Sequence, residues 1–83
     1  MKIKLKLYAS LDKYLPEQSA NHSTAVDVPA GATPHEVLRR YNIAPEMAHL
    51  VLLNGIYLEP EKRDDSLFSD GDVLAVWPPV AGG

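Results

Sequence analysis

The chain contains no cysteine. Disulfides, thiolate zinc sites, iron–sulfur clusters and cysteine nucleophiles are therefore excluded. A glycine-rich phosphate loop followed by lysine is also missing, so the sequence predicts no ATP site and no bound cofactor of its own. His22, His35 and His49 lack the i, i+4 spacing of a helical metal pair, and we expect no metal site.

Long hydrophobic runs and a surplus of basic residues are absent as well. The longest aliphatic run, residues 50–53, is far too short to cross a bilayer, and the first seven residues alternate, unlike a signal peptide. We therefore expect a cytoplasmic protein without a membrane partner. The net charge of −3 argues against nucleic acid, because phosphate binding needs an excess of lysine and arginine. Lys2, Lys4 and Lys6 are interpreted as the solvated face of a strand.

The apolar pattern of the 83 residues predicts several short strands in one small domain. Strict alternation over residues 2–8 places Ile3, Leu5 and Leu7 on the buried face of the first strand. Apolar, β-branched and aromatic stretches bounded by turn residues predict the other strands. These strands are 24–28, a central strand 49–53, a short strand 56–58, and 73–77.

The sequence predicts one main helix. Thr33, Pro34 and Glu36 form a capping box with proline at the first helical position, so we expect a helix over 34–42. A shorter helix is predicted at 10–15. One main helix packed on a mixed sheet of four to five strands buries the apolar side of each element, which predicts an α+β fold.

The final six residues, 78–83, have a composition of their own. Pro78 and Pro79 cannot donate backbone hydrogen bonds, so we expect a domain over 1–77 followed by an extended, flexible tail. Gly82 and Gly83 have no side chains, which makes the tip narrow enough to enter a channel in another protein. The carboxylate of Gly83 is a poor electrophile at neutral pH and requires activation by a partner that uses ATP. Taken alone, two terminal glycines are more typical of a frayed chain end.

The C-terminal region resembles the signature of the molybdopterin synthase small subunit, in the ubiquitin-like MoaD/ThiS family. The similar pattern is Asp70-Gly71-Asp72, then an apolar strand that ends in an aromatic residue, then the terminal Pro-Pro-Val-Ala-Gly-Gly. Chain length and element order are similar too. The resemblance implies a β-grasp (ubiquitin-like) fold.

The resemblance also implies a function as a sulfur carrier that is not an enzyme on its own. An adenylating enzyme related to ubiquitin activators forms an acyl adenylate on Gly83, and a sulfur donor protein then converts it to a thiocarboxylate. The tail residues Pro79, Val80, Ala81 and Gly82 insert into the molybdopterin synthase large subunit. There the thiocarboxylate supplies sulfur for the dithiolene of molybdopterin, with cyclic pyranopterin monophosphate as acceptor.

A docking surface around the tail is implied by the same resemblance. It comprises Trp77, Tyr8 and Tyr57, and amphipathic aromatic residues are favoured at interfaces. Ordinary packing at the edge of the core is the alternative for all three. The family often has a large aromatic residue before Trp77, where this chain has Val76, which we interpret as a core substitution.

Other functions stay open at this point. The sulfur acceptor could belong to thiamin, to a thiolated tRNA base or to another metabolite. A protein modifier ligated through Gly83 would use the same activation and differ only in the acceptor. A third alternative is a β-grasp interaction module that binds without covalent chemistry.

Overall fold

The computed structural model describes residues 1–79, so Val80, Ala81, Gly82 and Gly83 of the predicted tail lie outside the described residues. Five strands form one sheet: β1 (Lys2–Leu7), β2 (Ser23–Asp27), β3 (Leu50–Leu53), β4 (Ile56–Tyr57) and β5 (Val73–Trp77). The main helix is α1 (Pro34–Arg40). Short 3-10 helices span Ala9–Tyr14, Pro45–Met47 and Pro60–Lys62.

The strands are ordered β2-β1-β5-β3-β4 across the sheet. β1 is parallel to β5, and the other neighbouring pairs are antiparallel. This mixed sheet with one main helix is the β-grasp fold, so the predicted fold class is confirmed. The prediction that residues 49–53 form the central strand is wrong, because β5 occupies the centre and β3 lies next to the edge. Three successive residues of β5, 74–76, are buried, whereas only Val51 is buried in β3.

The core lies between the sheet and α1. Ile3, Leu5 and Leu7 are buried, as the alternation predicts. Leu5 and Leu7 are in register with Leu74 and Val76 of β5, so these four side chains share the inner face of the sheet. Val76 is fully buried, which agrees with its interpretation as a core substitution.

Helix α1 begins as the sequence predicts. The Thr33 hydroxyl accepts a hydrogen bond from the Glu36 backbone N–H at 3.2 Å, and the Glu36 carboxylate accepts one from the Thr33 backbone N–H at 2.9 Å. This capping box satisfies donors that helix termini leave without partners. The helix ends at Arg40, two residues before the predicted end at residue 42. Asn42 itself takes a left-handed φ of 64°, which is outside the helical range.

The hairpin between β3 and β4 is fastened to the start of β5. Asn54 and Gly55 both have positive φ, as a two-residue hairpin turn requires. The Asn54 side-chain amide donates to the Asp72 carboxylate at 3.0 Å and its carbonyl oxygen accepts from the Val73 N–H at 2.9 Å. These bonds fix the hairpin in register with the strand that leads to the tail. After this hairpin, Phe68 is buried in the core, whereas its neighbour Leu67 is 37% exposed.

Candidate functional site

The candidate site is built on the outer face of the sheet, the face opposite α1. Ala75 and Trp77 point to this face because Leu74 and Val76 point into the core and side chains alternate along a strand. In the next strand, Leu50 pairs with Trp77 and Leu52 pairs with Ala75. We call the six outward apolar residues of the three adjacent strands the outer patch; they are Val73, Ala75, Trp77, Leu50, Leu52 and Tyr57.

Much of the outer patch reaches solvent. Trp77, Leu50 and Leu52 are half-buried, and Tyr57 is 51% exposed. Tyr57 lies opposite Leu52 on the edge strand β4. The predicted docking residues Trp77 and Tyr57 therefore share one face and stand on opposite sides of β3. A half-exposed apolar face beside the end of the domain is a surface suited to binding another protein.

Tyr8 contacts Trp77 directly. The two rings are stacked with centroids 4.4 Å apart and an interplanar angle of 8°. On its other side, the Tyr8 ring lies 5.5 Å from the His22 ring, and His22 Nδ1 lies 2.9 Å from the Asp12 carboxylate. The structure thus brings Tyr8 and Trp77 together, as expected for one docking surface, and adds His22 and Asp12, which the sequence patterns did not identify.

The predicted tail begins in a groove beside Trp77. The Tyr8 N–H donates to the Val76 carbonyl at 3.1 Å and the His49 N–H donates to the Trp77 carbonyl at 3.0 Å, so both edges of β5 are paired up to its end. Pro78 is buried and Pro79 is exposed. A groove of about 450 Å³ follows this exit and is lined by Ala9, Ser10, His49, Leu50, Trp77, Pro78 and Pro79. The other predicted tail residues, 80–83, lie outside the described residues.

Arg63 supports the far side of the outer patch. Arg63 directly follows the 3-10 helix Pro60–Lys62 and is only 3% exposed. Its Nε donates to the Leu58 carbonyl at 2.9 Å and its Nη1 to the Ala48 carbonyl at 2.8 Å. The guanidinium carbon lies 6.0 Å from the centre of the Tyr57 ring. No sequence signal marks this burial, because it depends on carbonyls from two separate loops.

Two of the three histidines are paired with carboxylates. Between residues 1 and 79, no group of three or more histidine and acidic side chains is placed to hold a metal ion. His22 pairs with Asp12 and His35 with Asp64, each at 2.9 Å. No helix in the same part of the chain has the length and apolar character needed to cross a membrane.

Comparison with known proteins gives both a family and a fold. The model of the ThiS family matches residues 7–83, whereas a search of curated proteins found no significant match. SAMP1 from Haloferax volcanii is 25% identical with a TM-score of 0.66, and 100% of each chain is covered.

Two further solved structures support the shared fold. The putative molybdopterin converting factor, subunit 1, from Pyrococcus furiosus is 22% identical over 95% of this chain and 98% of that chain, with a TM-score of 0.67. A chain from the complex of subunits 1 and 2 of molybdopterin-converting factor from Helicobacter pylori is 16% identical with a TM-score of 0.55, and 100% of each chain is covered. At these identities the likeness establishes the β-grasp fold.

Proposed function

Because the chain belongs to the ThiS family, within a class of small ubiquitin-like sulfur carriers and modifiers, we propose that it carries sulfur on Gly83 for molybdopterin synthesis. The observation that carries this proposal is the position of the outer patch, which borders the exit of the tail at Trp77 and Pro78. A partner that docks on the patch receives the following residues, Pro-Val-Ala-Gly-Gly, from a fixed starting point. The family match extends to Gly83 and so includes this segment.

The proposed chemistry takes place on the Gly83 carboxylate with catalytic groups supplied by partners. An adenylating enzyme joins the carboxylate oxygen to the α-phosphate of ATP and releases pyrophosphate. Sulfide-level sulfur delivered by a sulfur donor protein then attacks the acyl carbon, the bond from that carbon to the AMP oxygen breaks, and the products are AMP and a thiocarboxylate at Gly83. This order is required because a free carboxylate is ionised at neutral pH and does not react with a sulfur nucleophile unless it is activated.

The second partner in the proposal is a molybdopterin synthase large subunit. A complex of subunits 1 and 2 is known for the Helicobacter pylori molybdopterin-converting factor, one chain of which shares this fold. In the proposed complex, residues 79–83 enter the large subunit, and the carrier is its non-catalytic, sulfur-donating member. In this proposal the carrier needs no cofactor of its own, and it meets its ATP-dependent activating enzyme in the cytoplasm.

One observation favours a second function, that of a protein modifier. SAMP1 from Haloferax volcanii, whose full name is small archaeal modifier protein 1, is 25% identical to this chain over the full length of both. A modifier uses the same acyl adenylate at Gly83, and a lysine amine replaces sulfur as the nucleophile. The acceptor therefore distinguishes the two functions.

The proposal is tested by intact mass spectrometry after incubation with the adenylating enzyme of the same organism, ATP and a sulfur donor. Replacement of one carboxylate oxygen by sulfur raises the mass by about 16 Da. The measurement also verifies that Gly83 is the last residue. Deletion of Gly83 should abolish the mass increase without altering thermal unfolding, because a terminal residue contributes little to stability. An unchanged mass of the full-length protein with an active enzyme would refute the carrier function.

The acceptor is tested with the charged protein. Addition of the large subunit and cyclic pyranopterin monophosphate should yield molybdopterin and return the mass to that of the carboxylate form. Formation of higher-mass conjugates with lysine side chains, without molybdopterin, would establish the modifier function instead.

A further inference from the structure

A row of three lysines borders the outer patch. Lys2, Lys4 and Lys6 of β1 are three of the five lysines in the chain, and we call them the lysine row. From its position we propose that the protein partner that docks on the outer patch carries carboxylates along the border of its own apolar surface, opposite the lysine row. This inference rests on the proposed function, because it specifies the chemistry of the partner in that complex.

Strand register places the lysine row on the same face as the outer patch. Lys4 pairs with Val73 and Lys6 pairs with Ala75. Neighbouring strands lie about 5 Å apart, and alternate residues of one strand lie about 7 Å apart. The lysines therefore form a line of about 14 Å parallel to the apolar residues of β5. A single flat partner surface that covers the patch also meets the row.

The charges of the lysine row are available to a partner. Within residues 1–79, neither Lys4 nor Lys6 has a carboxylate within ion-pair distance. Lys2 Nζ lies 4.0 Å from the Asp27 carboxylate, with side chains 64% and 86% exposed, and such an exposed pair is weak. Desolvation by a partner without acidic groups would leave three cations unpaired, which is costly.

The distribution of charge makes this face unlike the chain as a whole. The protein has 8 basic and 11 acidic residues. The outward residues of the outer edge strand β2 are Ser23, Ala25 and Asp27, so the strand beside the row supplies only one acidic side chain. Counted over the five strands, this face has three basic side chains and one acidic side chain, on a protein of net charge −3. Complementary charge at an interface raises the rate of association and selects partners.

A protein fits this surface better than a nucleic acid does. The apolar residues of the outer patch lie beside the lysine row. The sugar-phosphate backbone of a nucleic acid duplex has no apolar surface that could cover them. The Trp77 ring already stacks on Tyr8 at 4.4 Å, so one of its faces is unavailable to a base. The overall negative charge also repels polyphosphate.

The test compares Lys4→Gln/Lys6→Gln with the matched control Lys13→Gln/Lys62→Gln, which removes the same charge from two exposed lysines on the 3-10 helices Ala9–Tyr14 and Pro60–Lys62. The probe is the adenylating enzyme of the same organism, and association rates are measured by surface plasmon resonance at several NaCl concentrations. At low salt we expect the double variant to associate about five- to tenfold more slowly, and the control to match the wild type. The difference should fall below about twofold near 0.5 M NaCl, where screening is strong. Lys4→Arg/Lys6→Arg should restore the rate.

Three outcomes would overturn the inference. The double variant could associate as fast as the wild type at low salt, or the control could lose as much association rate as the double variant. The third outcome is that the wild type binds a DNA oligonucleotide or phosphatidylserine vesicles and the double variant does not. Thiocarboxylate formation at saturating enzyme provides an independent readout. If the wild type is charged while the lysine variants associate normally, the inference fails and the proposed function stands. If the wild type associates in a lysine-dependent manner and is never charged, the carrier function fails instead.

Discussion

Replacement of Trp77 by alanine should weaken partner binding at least as much as it destabilises the fold. Trp77 is half-buried, so the truncation removes about half of the 3–5 kcal/mol that a fully buried tryptophan contributes. The stacked contact with Tyr8 at 4.4 Å is included in this loss and is worth about 0.5–1.5 kcal/mol. The free energy of unfolding should therefore fall by about 2 kcal/mol. Truncation of an aromatic interface anchor costs at least about 2 kcal/mol of binding energy, so the variant should bind the partner about 30-fold more weakly.

The assay pairs urea unfolding, followed by circular dichroism, with calorimetric titration of the adenylating enzyme. The matched control is Leu74→Ala, which lies on the same strand, faces the core and is fully buried. It should cost about 2–5 kcal/mol of stability and leave the Kd of the folded protein unchanged. If Trp77→Ala lost more than about 3 kcal/mol of stability while the Kd stayed within twofold of the wild type, Trp77 would be a core residue, and the docking argument would be wrong.

Two further substitutions test how the frame of the site is held. Arg63→Met leaves two buried carbonyls without their donors, so unfolding in urea should show a loss of about 2–4 kcal/mol; a loss below about 1 kcal/mol would contradict a supporting role. Asn54→Ala removes the bonds to Asp72 and Val73 and places alanine at a left-handed φ of 52°. The control Asn42→Ala places alanine at a similar left-handed φ of 64°, but the Asn42 side chain makes no such bonds among residues 1–79. In thermal unfolding, the Asn54 variant should therefore lose about 1–2 kcal/mol more stability than the Asn42 variant. Equal losses of stability would refute the hydrogen-bond argument.

The fold was predictable from sequence wherever a local rule decides the structure. Alternation at Ile3, Leu5 and Leu7 identifies β1, and the capping box at Thr33 locates the start of α1, because each signal depends on neighbouring residues alone. The position of β5 in the centre of the sheet was not predictable in this way. It depends on parallel pairing with β1, which lies more than sixty residues away, and a short apolar strand looks the same at the centre and near the edge.

The candidate site was likewise predictable only in part. The resemblance predicts Trp77, Tyr8 and Tyr57 as docking residues, and the structure brings Trp77 and Tyr8 into contact, while their role in binding stays a prediction. The sequence did not identify Arg63, because a guanidinium in a charged segment is ordinarily solvated, and one of the two carbonyls that it binds, that of Ala48, lies 15 residues away in the sequence. The lysines of β1 were visible as a stripe, but their relation to the outer patch required the strand register. The sequence pattern does not show which residues of different strands lie next to each other in the sheet.

The strand register also limits where the proposed chemistry can take place. β5 is hydrogen-bonded on both edges up to Trp77, and Pro78 is buried beside it, so the starting point of the tail is fixed relative to the outer patch. Four residues beyond Pro79 reach at most about 14 Å when fully extended. A partner that docks on the outer patch must therefore place its nucleotide or sulfur acceptor within that distance of the exit. Insertion of two glycines after Pro79 lengthens this reach by about 7 Å without changing the docking face, so docking and charging are separable properties of the chain.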